Sequence, residues 1–376
     1  MKIKLGLGLF TTDKVASICD GTIYSTTNEK NAVFENICTD SREADNTTLF
    51  VAIPGERVDG HSYISNAVKA GCRCVIAEKL PLDVKGIVVI LVESAIKAIK
   101  NIACYVREQI KAKVVAVTGS VGKTTTKELL ANVIGQKYNC YKTNGNFNST
   151  IGMPMSMLEL APQNNAAVFE IGMSGLGEIA YMSEAAKPDI AIITNIGSSH
   201  LEALGSRENI CRAKMEITTG LKNGGTLFLN GDEPLLRDHH SERYNTLYFG
   251  INNEECDYFA NNIRHTPTGV VFDLRTPAKE YKNIQTSLLG IHNVYNAMVA
   301  FITGLKTRVP EAKIRSSLMS SSTIKMRQNI YALGGITIIE DCYNASPESM
   351  LASVTVLRNI SASSSSRSIA VLGDMK

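Results

Sequence analysis

The sequence predicts an α/β fold built on a parallel sheet, and three observations support this prediction. Apolar runs rich in Val, Ile and Phe recur along the chain, and the central ones are continuous rather than alternating, as in strands buried on both faces. Stretches with helical periodicity separate the earlier runs. One run leads directly into a Gly-rich turn and a helix, an arrangement that binds phosphate groups at the edge of such sheets.

The first part of the chain predicts a small α/β domain over residues 1–110. From about residue 30, three strand-like runs alternate with two helix-like stretches. The strand-like runs are TLFVAI, CRCVIAE and GIVVILV, and the helix-like stretches are SYISNAVKAG and ESAIKAIKNIACYVREQI.

A second, larger α/β domain is predicted over residues 111–321. Its buried-type strands are KVVAVTGS, AAVFEIG, DIAIITNIG and GTLFLNGD. Residues 245–290 are richer in β signals and turn residues, and GIHNVYNAMVAFITGL then has the pattern of a helix.

The last part, residues 322–376, predicts the beginning of a third α/β domain. We expect YALGGITIIED to be a strand, SPESMLASVTVLRNI a helix, SASSSSRS a polar loop and SIAVLGDMK the start of another strand. Because this segment has about half the length of a usual domain, we expect a chain that is truncated or atypical at its C-terminus.

Composition limits the classes of function. The 376 residues include 44% apolar and 20% charged residues, which excludes a single small module and global disorder. Lys and Arg number 39 against 36 acidic residues, so the formal charge of +3 gives no electrostatic reason to expect nucleic acid or an anionic membrane. No apolar segment is long enough to span a bilayer. The nine scattered cysteines lack zinc spacing, so we expect reduced thiols and a cytoplasmic protein with no membrane anchor.

The segment AVTGSVGKTTTKELL carries the strongest chemical signal. It combines an apolar strand, a Gly-rich turn and a helix that begins near Lys123 and Thr124. In such a P-loop the backbone N–H groups surround phosphate oxygens, the lysine supplies a positive charge, and the hydroxyl can ligate Mg²⁺. Val117 stands where the strict pattern has its first glycine. A turn without function is the alternative, and the strand–turn–helix context argues against it.

Two polar residues follow predicted strands at the edge where open sheets bind ligands. Glu170 follows AAVF, and His200 follows ITNIGSS. With Thr124, each could complete a Mg²⁺ site, although histidine is an uncommon ligand for this ion. Without the P-loop, a solvated carboxylate and an ordinary ring would be the better interpretations.

The segment SRENICRAKMEITTGL predicts a helix with basic residues among apolar ones. Lys214 on this helix could supply charge to a substrate or become a carbamate that helps to hold metal, and a solvated basic face with Arg207 and Arg212 is the alternative. Periodicity does not separate these possibilities.

Several motifs follow one another in the order TGSVGKTTTKELL, GNFNSTIGMP, EIGMSGLGEI, ITNIGSSHLEALGSRENICRAKMEI, GIHNVYNAMVA and DCYNASPES. Motifs in this order and spacing resemble those of the Mur ligases. TDSR and LFVAIPGERVDGHSYI resemble the family's N-terminal UDP-sugar-binding domain. The resemblance runs from about residue 35 to the last residue. It implies a three-domain architecture: a small N-terminal α/β domain, a central P-loop domain and a partial Rossmann-like C-terminal domain.

The resemblance also implies roles for individual residues. The loop that would bind the ATP phosphates consists of Gly119, Ser120, Val121, Gly122, Lys123, Thr124 and Thr125. Thr124, Glu170 and His200 would hold Mg²⁺, and Lys214 matches a lysine that is carbamylated in several members and supports a second metal ion. The remaining nucleotide contacts would come from Asn293 and Asn296 on the adenine side and from Arg327 and Asp341 near the phosphates and ribose.

On the acceptor side, the uridine diphosphate would lie near Asp40, Ser41, Arg42, Gly55, Asp59 and His61. Asn148 would lie near the reacting carboxyl group and the γ-phosphate. The residues expected to act in catalysis are thus Lys123, Lys214, His200 and Asn148. Ser149 and Ser346 replace asparagines that are common in the family.

The implied activity is ATP-dependent amide formation between UDP-N-acetylmuramoyl-tripeptide and D-Ala-D-Ala through an acyl phosphate, by a monomer that binds no nucleic acid. YNASP argues against the ligase that adds the third peptide residue, and the UDP-sugar block argues against a folate-polyglutamate type ligase. An inactive truncated homologue that binds nucleotide or UDP-sugar is the non-enzymatic alternative.

Overall fold

The computed structural model of the chain describes residues 1–27, 31–55, 57–81, 85–321, 325–364 and 367–373. The α/β class predicted from the sequence is confirmed. The chain divides into two compact units. The first contains Met1–Ala112, Thr143–Asn165 and Glu184–Lys187, and the second contains Lys113–Lys142, Ala166–Ser183 and Pro188–Lys376. The three-domain boundaries stay a prediction, and the predicted start of the third domain at residue 322 lies outside the described residues.

The first unit is built on a mixed sheet. Its strands follow one another across the sheet in the order Lys2–Lys4, Asn36–Cys38, Thr48–Val51, Cys74–Ala77, Val88–Leu91 and Thr22–Ser25. The two outer strands pair antiparallel and the inner ones parallel. A further short pair joins Phe10–Thr11 to Val33–Phe34.

Helices cover this sheet because their apolar residues repeat at helical spacing. The helices are Thr12–Cys19, Ile64–Lys69, Ala95–Gln109 and Gly152–Met157, with short 3₁₀ turns at Ser41–Glu43 and Gly60–Tyr63. The longest begins at Ser94, whose hydroxyl accepts a hydrogen bond from the N–H of Lys97, and it buries Ile99, Ile102 and Val106.

Two elements of this unit, Lys2–Lys4 and Thr22–Ser25, were not foreseen. They are short edge strands: Ile3 is the buried residue of the first, and the second is only half-buried at Ile23 and Ser25. Their residues therefore carry little of the apolar signal that identifies a strand in sequence.

The second unit is built on a larger sheet that is parallel over most of its width. Its order is Cys140–Lys142, Ala166–Glu170, Lys113–Thr118, Ile190–Ile193, Thr226–Asn230, Asn245–Gly250, Tyr258–Thr266, Gly269–Arg275 and Glu280–Thr286. The last two strands pair antiparallel with their neighbours. The central strand is buried on both faces, since Val114 and Ala116 are as inaccessible as Val115 and Val117. The predicted strands of the central domain are confirmed.

Helices pack against this sheet and complete the core. Those in the buried cluster are Lys123–Gly135, His292–Lys306 and Glu311–Met319. The unit also contains Leu201–Leu204 and Arg207–Met215, with 3₁₀ turns at Glu216–Thr218 and Pro234–Leu236, and the helix Glu178–Ala186 belongs to it as far as Ser183. Leu130 of the first helix and Phe301 of His292–Lys306 belong to one buried cluster with Val115 and Val117 of the sheet. The helix after the Gly-rich turn is therefore fixed by the core beneath it.

The C-terminal segment corrects three predictions. The stretch expected as one strand is a hairpin of Asn329–Leu333 and Ile336–Glu340, because Gly334 and Gly335 have φ of +58° and +78° and form its turn. The next helix, Pro347–Ser364, extends into the serine run expected as a loop, and Ser361 Oγ donates to the carbonyl of Leu357 one turn earlier.

The last predicted strand is also wrong within the described residues. Residues 367–373 form no strand, and Val371 is 93% exposed. A strand needs a neighbour to accept its backbone hydrogen bonds, and this segment belongs to none of the described sheets. Residues 365, 366 and 374–376 of the two predicted elements lie outside the described residues. Among the residues that the structure describes, no helix combines the length and apolar character needed to cross a bilayer.

Candidate functional site

The Gly-rich turn connects the central strand Lys113–Thr118 to the helix Lys123–Gly135. Gly119 and Gly122 have φ of +151° and +83°, and a Cβ at Gly119 would lie 1.9 Å from Thr194 Oγ1. Other residues rarely adopt this backbone conformation, so glycine is required at both positions. The side chain of Asn195 accepts a hydrogen bond from the N–H of Val121 at 2.9 Å and holds the turn in place.

Lys123 lies over the turn that precedes it. Its Nζ donates hydrogen bonds to the carbonyl oxygens of Gly119 at 2.7 Å and Ser120 at 3.2 Å. Burial lowers the pKa of Lys123 from its usual value, while the charge of Glu170 opposes this shift. The amine is thus held at the turn where an anionic group would dock.

Thr124, at the start of the helix Lys123–Gly135, contacts Glu170, at the end of the strand Ala166–Glu170. Thr124 Oγ1 donates to Glu170 Oε1 at 3.1 Å, and Glu170 is 2% exposed. Parallel pairing of Ala166–Glu170 with Lys113–Thr118 brings Glu170 to the edge of the sheet at which the turn begins. A hydroxyl and a carboxylate are ligands suited to Mg²⁺.

His200 and Lys214 lie within electrostatic range of Lys123. His200 is exposed in a left-handed conformation, with φ of +68°, immediately before Leu201–Leu204. Desolvation and then the charges of Lys214 and Lys123 lower the pKa of His200. In the described part of the chain, no group of three or more His, Cys, Asp or Glu side chains could hold a metal ion. The histidine as a Mg²⁺ ligand stays a prediction.

Lys214 is buried on the helix Arg207–Met215. It is 1% exposed, and burial together with the charge of Lys123 lowers its pKa well below the usual value. Arg212 is exposed, and Arg207 pairs with Glu233 at 2.8 Å. The solvated-face interpretation therefore describes Arg212 but not Lys214.

Asn293 and Asn296 occupy the first turns of the helix His292–Lys306. Asn296 Nδ2 donates to Asn293 Oδ1 at 2.9 Å, and Asn296 Oδ1 accepts from Thr126 Oγ1 at 3.0 Å. Asn293 Nδ2 donates to the carbonyl of Leu289 at 2.7 Å. This chain of hydrogen bonds connects the asparagine pair to the helix that follows the turn.

Arg327 and Asp341 face the same cavity as the turn. The guanidinium of Arg327 lies 4.2 Å from the ring centre of Tyr343, and Asp341 accepts a hydrogen bond from Ser353. The cavity has a volume of about 520 Å³. Its walls include Gly122, Thr125, Asn293, Asn296, Arg327 and Asp341. The structure thus brings together residues from three distant parts of the sequence.

The residues expected on the acceptor side lie in the first unit. Asp40 accepts from the backbone N–H and Nε of Arg42 at 3.0 Å and 2.9 Å, and these contacts hold the pKa of Asp40 below its usual range. Ser41 is buried. Arg42 itself is 87% exposed and is accessible to a ligand.

Gly55, Asp59 and His61 form a tight loop in the same unit. The N–H of Gly55 donates to the carbonyl of Val58 at 3.1 Å. His61 Nδ1 donates to Asp59 Oδ1 at 2.6 Å, and His61 Nε2 accepts from the N–H of Glu78 at 2.9 Å. Both ring nitrogens of His61 are therefore bonded within the protein. The pKa of Asp59 is held below its usual range, mainly by the hydrogen bond that its carboxylate accepts from Lys79.

Asn148 is half-buried in the segment Thr143–Asn165 of the first unit, where its N–H donates to the carbonyl of Asn146. Both serine replacements form hydrogen bonds next to the start of a helix. Ser149 Oγ accepts from the N–H of Gly152, and Ser346 exchanges hydrogen bonds with Ser349 at the start of Pro347–Ser364. Serine thus fills a local role that asparagine could also fill.

Comparison with known proteins places these features in a family. Residues 117–304 match the Mur ligase middle domain, and residues 33–120 match the Mur ligase family catalytic domain. The UDP-N-acetylmuramoyl-tripeptide--D-alanyl-D-alanine ligase of Bacillus subtilis is 36% identical over 371 residues, which cover 97% of this chain and 78% of the relative. This chain belongs to the Mur ligase family.

Solved Mur ligase structures share the fold. A crystal structure of MurF from Acinetobacter baumannii has a TM-score of 0.87 at 33% identity, covering 94% of this chain and 77% of that one. The MurF ligase of Thermotoga maritima in complex with ADP has a TM-score of 0.78 at 31% identity, covering 86% and 74%. The family predicted from the motifs is confirmed.

Sequence reasoning missed two charged residues of this Mur ligase. Lys127 is 1% exposed beside Glu170, and Glu348 lines the cavity and accepts from the N–H of Ser198 at 2.8 Å. The position of Lys127, one helical turn after Lys123, was the available signal. No signal in the sequence connects Glu348 with Ser198, because the two are 150 positions apart.

Proposed function

We propose that this Mur ligase is an ATP-dependent carbon–nitrogen ligase that joins D-Ala-D-Ala to UDP-N-acetylmuramoyl-tripeptide in peptidoglycan precursor synthesis. The observation that carries the proposal is the P-loop that opens into the cavity walled by Asn293 and Asn296. Relatives that match nearly the whole chain are named for this reaction, and a related structure holds ADP.

The reaction proceeds in two steps. A carboxylate is a poor electrophile, so a carboxylate oxygen of the tripeptide first attacks the γ-phosphorus of ATP, which gives an acyl phosphate and ADP. The amine of D-Ala-D-Ala then attacks the carbonyl carbon and loses a proton, and the tetrahedral intermediate expels inorganic phosphate as the amide forms. Negative charge must be stabilised in both steps.

Lys123 and the loop from Gly119 to Thr125 bind the ATP phosphates in this proposal. The lysine amine, already held at the turn, supplies a positive charge to the transferring phosphoryl group. Thr124 and Glu170 would hold Mg²⁺, with His200 as a further ligand, because the hydroxyl and the buried carboxylate provide oxygen atoms at one point. When bound, the ion would withdraw negative charge from the phosphates.

Lys214 is the proposed site of a carbamate that supports a second metal ion. Its depressed pKa favours the neutral amine, which is the form whose lone pair attacks CO₂ with loss of a proton. An ordinary exposed lysine would be protonated and unreactive at neutral pH. Burial thus prepares this residue for the modification.

The other predicted residues complete the substrate contacts. Asn293 and Asn296 face the adenine, and Arg327 and Asp341 face the ribose and phosphates. The uridine diphosphate is assigned to Asp40, Ser41, Arg42, Gly55, Asp59 and His61, with Asn148 near the reacting carboxyl group. His61 would act by fixing Asp59, since its own ring nitrogens are already bonded.

We place the reaction in the cytoplasm and expect a monomer. Cys342 is exposed and the other eight cysteines are buried or half-buried, and all nine are free thiols, as a reducing compartment favours.

Phosphate release tests the function. We expect release only when ATP, UDP-N-acetylmuramoyl-tripeptide and D-Ala-D-Ala are all present, with the amide product identified by mass spectrometry. Nucleotide binding without turnover would contradict the proposal and favour a binding protein. Turnover with a dipeptide acceptor and a single amino acid would instead identify the ligase that adds the third residue.

A further inference from the structure

A second buried lysine lies beside the proposed Mg²⁺ ligand. Lys127 is 1% exposed, and its Nζ lies 3.8 Å from Glu170 Oε2. The other oxygen of this carboxylate, Oε1, accepts the hydrogen bond from Thr124. Glu170 is therefore held between a hydroxyl on one oxygen and an ammonium group on the other.

Lys127 also connects Glu170 to a small network of ion pairs. Its Nζ lies 3.0 Å from Glu128 Oε1, and Glu128 Oε2 pairs with Lys142. Lys142 is 39% exposed, whereas Lys127 and Glu170 are almost inaccessible. The pair of Lys127 with Glu170 is thus the buried end of the network, where charges are least screened.

The helix explains why Lys127 is near the turn. Lys123 and Lys127 are four residues apart on Lys123–Gly135, so they lie on the same face of that helix. One amine faces the carbonyl oxygens of the turn and the other faces Glu170. Both bring positive charge to the region that would receive a divalent cation.

We propose that the Lys127 ammonium group is the resident counter-ion of Glu170, a positioning residue that keeps its carboxylate facing Thr124 and prevents uptake of a divalent cation until a nucleotide is bound. The proposal rests on the assignment of Glu170 as a metal ligand. The Lys127 ammonium group, 3.8 Å from Glu170, offsets the charge of that carboxylate, so Glu170 alone attracts a divalent cation weakly. The phosphates of a bound nucleotide would add the missing negative charge.

Binding of Mn²⁺ as a probe for the ion, followed by electron paramagnetic resonance, tests this inference without measuring activity. We expect the wild-type protein to bind Mn²⁺ tightly only with ADP. Lys127→Met keeps the length of the side chain and removes its charge, so it should bind Mn²⁺ without nucleotide at least about tenfold more tightly than the wild type.

The matched control is Lys142→Met. It removes a charge from the same network, but its ion pair is with Glu128. We expect its Mn²⁺ binding without nucleotide to equal that of the wild type. An equal gain in both variants, or no gain in Lys127→Met, would overturn the role of Lys127.

Two further measurements separate the possible failures. Glu170→Gln should lose Mn²⁺ binding with ADP, and if it does not, the assignment of Glu170 as a ligand fails and this inference fails with it. Loss of the buried Lys127 charge can prevent folding of the Lys127→Met variant. In that case, Mn²⁺ titration of the wild-type protein with and without ADP tests the proposal. Mn²⁺ bound as tightly without ADP as with it would refute the conditional uptake.

Discussion

Replacing Gly122 by alanine tests whether the backbone of the turn and the asparagine pair are one structural unit. The residue has φ of +83°, and an added Cβ would lie 2.8 Å from Asn296 Oδ1. Asn296 has little freedom to move away, because it is 6% exposed and is bonded to both Thr126 and Asn293.

The expected loss combines two terms. An L-residue in the left-handed region costs roughly 1–2 kcal/mol. Displacing Asn296 breaks its hydrogen bond with Thr126, which costs about 1 kcal/mol more. We therefore expect Gly122→Ala to lower the free energy of unfolding by about 2–3 kcal/mol and to weaken the binding of a non-hydrolysable ATP analogue.

Gly135 provides the control, because it ends the same helix. Its φ is not positive, and a Cβ there would meet no atom within 4 Å. Gly135→Ala should raise the free energy of unfolding by roughly 0.5–1 kcal/mol, since glycine weakens a helix. Urea denaturation of both variants and calorimetric titration with the analogue make the comparison. Equal stability and equal affinity in the two variants would refute the reasoning for Gly122.

Two other substitutions test the site, and a third tests a hydrogen bond from the helix His292–Lys306 to Asp232. Lys123→Ala should lower kcat by on the order of 100- to 1000-fold, because a charge directed at the transferring phosphoryl group is lost; a wild-type rate of phosphate release would contradict the site. Lys214→Ala should lose activity that added short carboxylic acids partly restore, and no restoration would leave Lys214 as an ordinary helix residue. Tyr295→Phe removes the 2.7 Å hydrogen bond to Asp232 and should lower the free energy of unfolding in urea by about 1 kcal/mol; unchanged stability would show that the bond contributes nothing.

Local patterns predicted the sheet and the turn because their signals lie within a few residues. The strand Lys113–Thr118, the turn and its helix are consecutive, so the sequence contains all of their determinants. The same logic selected Glu170 as a candidate ligand, since the end of a buried strand defines the edge of a parallel sheet.

Contacts between distant segments could not be predicted in this way. Thr126 and Asn296 are 170 positions apart, and their hydrogen bond depends on how two helices pack against the same core. The hairpin at Gly334 and Gly335 was missed for a different reason. Apolar residues flank both glycines, so the run has the composition of one strand even though two adjacent positive φ values reverse the chain.

The electrostatics of the site follows from local placement rather than from net charge. A formal charge of +3 over 376 residues gave no reason to expect nucleic acid or an anionic membrane. Locally, however, Lys123 and Lys127 lie within electrostatic range of Glu170, and Lys214 lies within range of Lys123. Burial affects the amines differently. The pKa of Lys214 is well below its usual value, whereas Lys127 is paired with two carboxylates. In our proposals, one lysine reacts as a neutral amine while another compensates a buried charge, and this difference depends on both the burial and the neighbours of each residue.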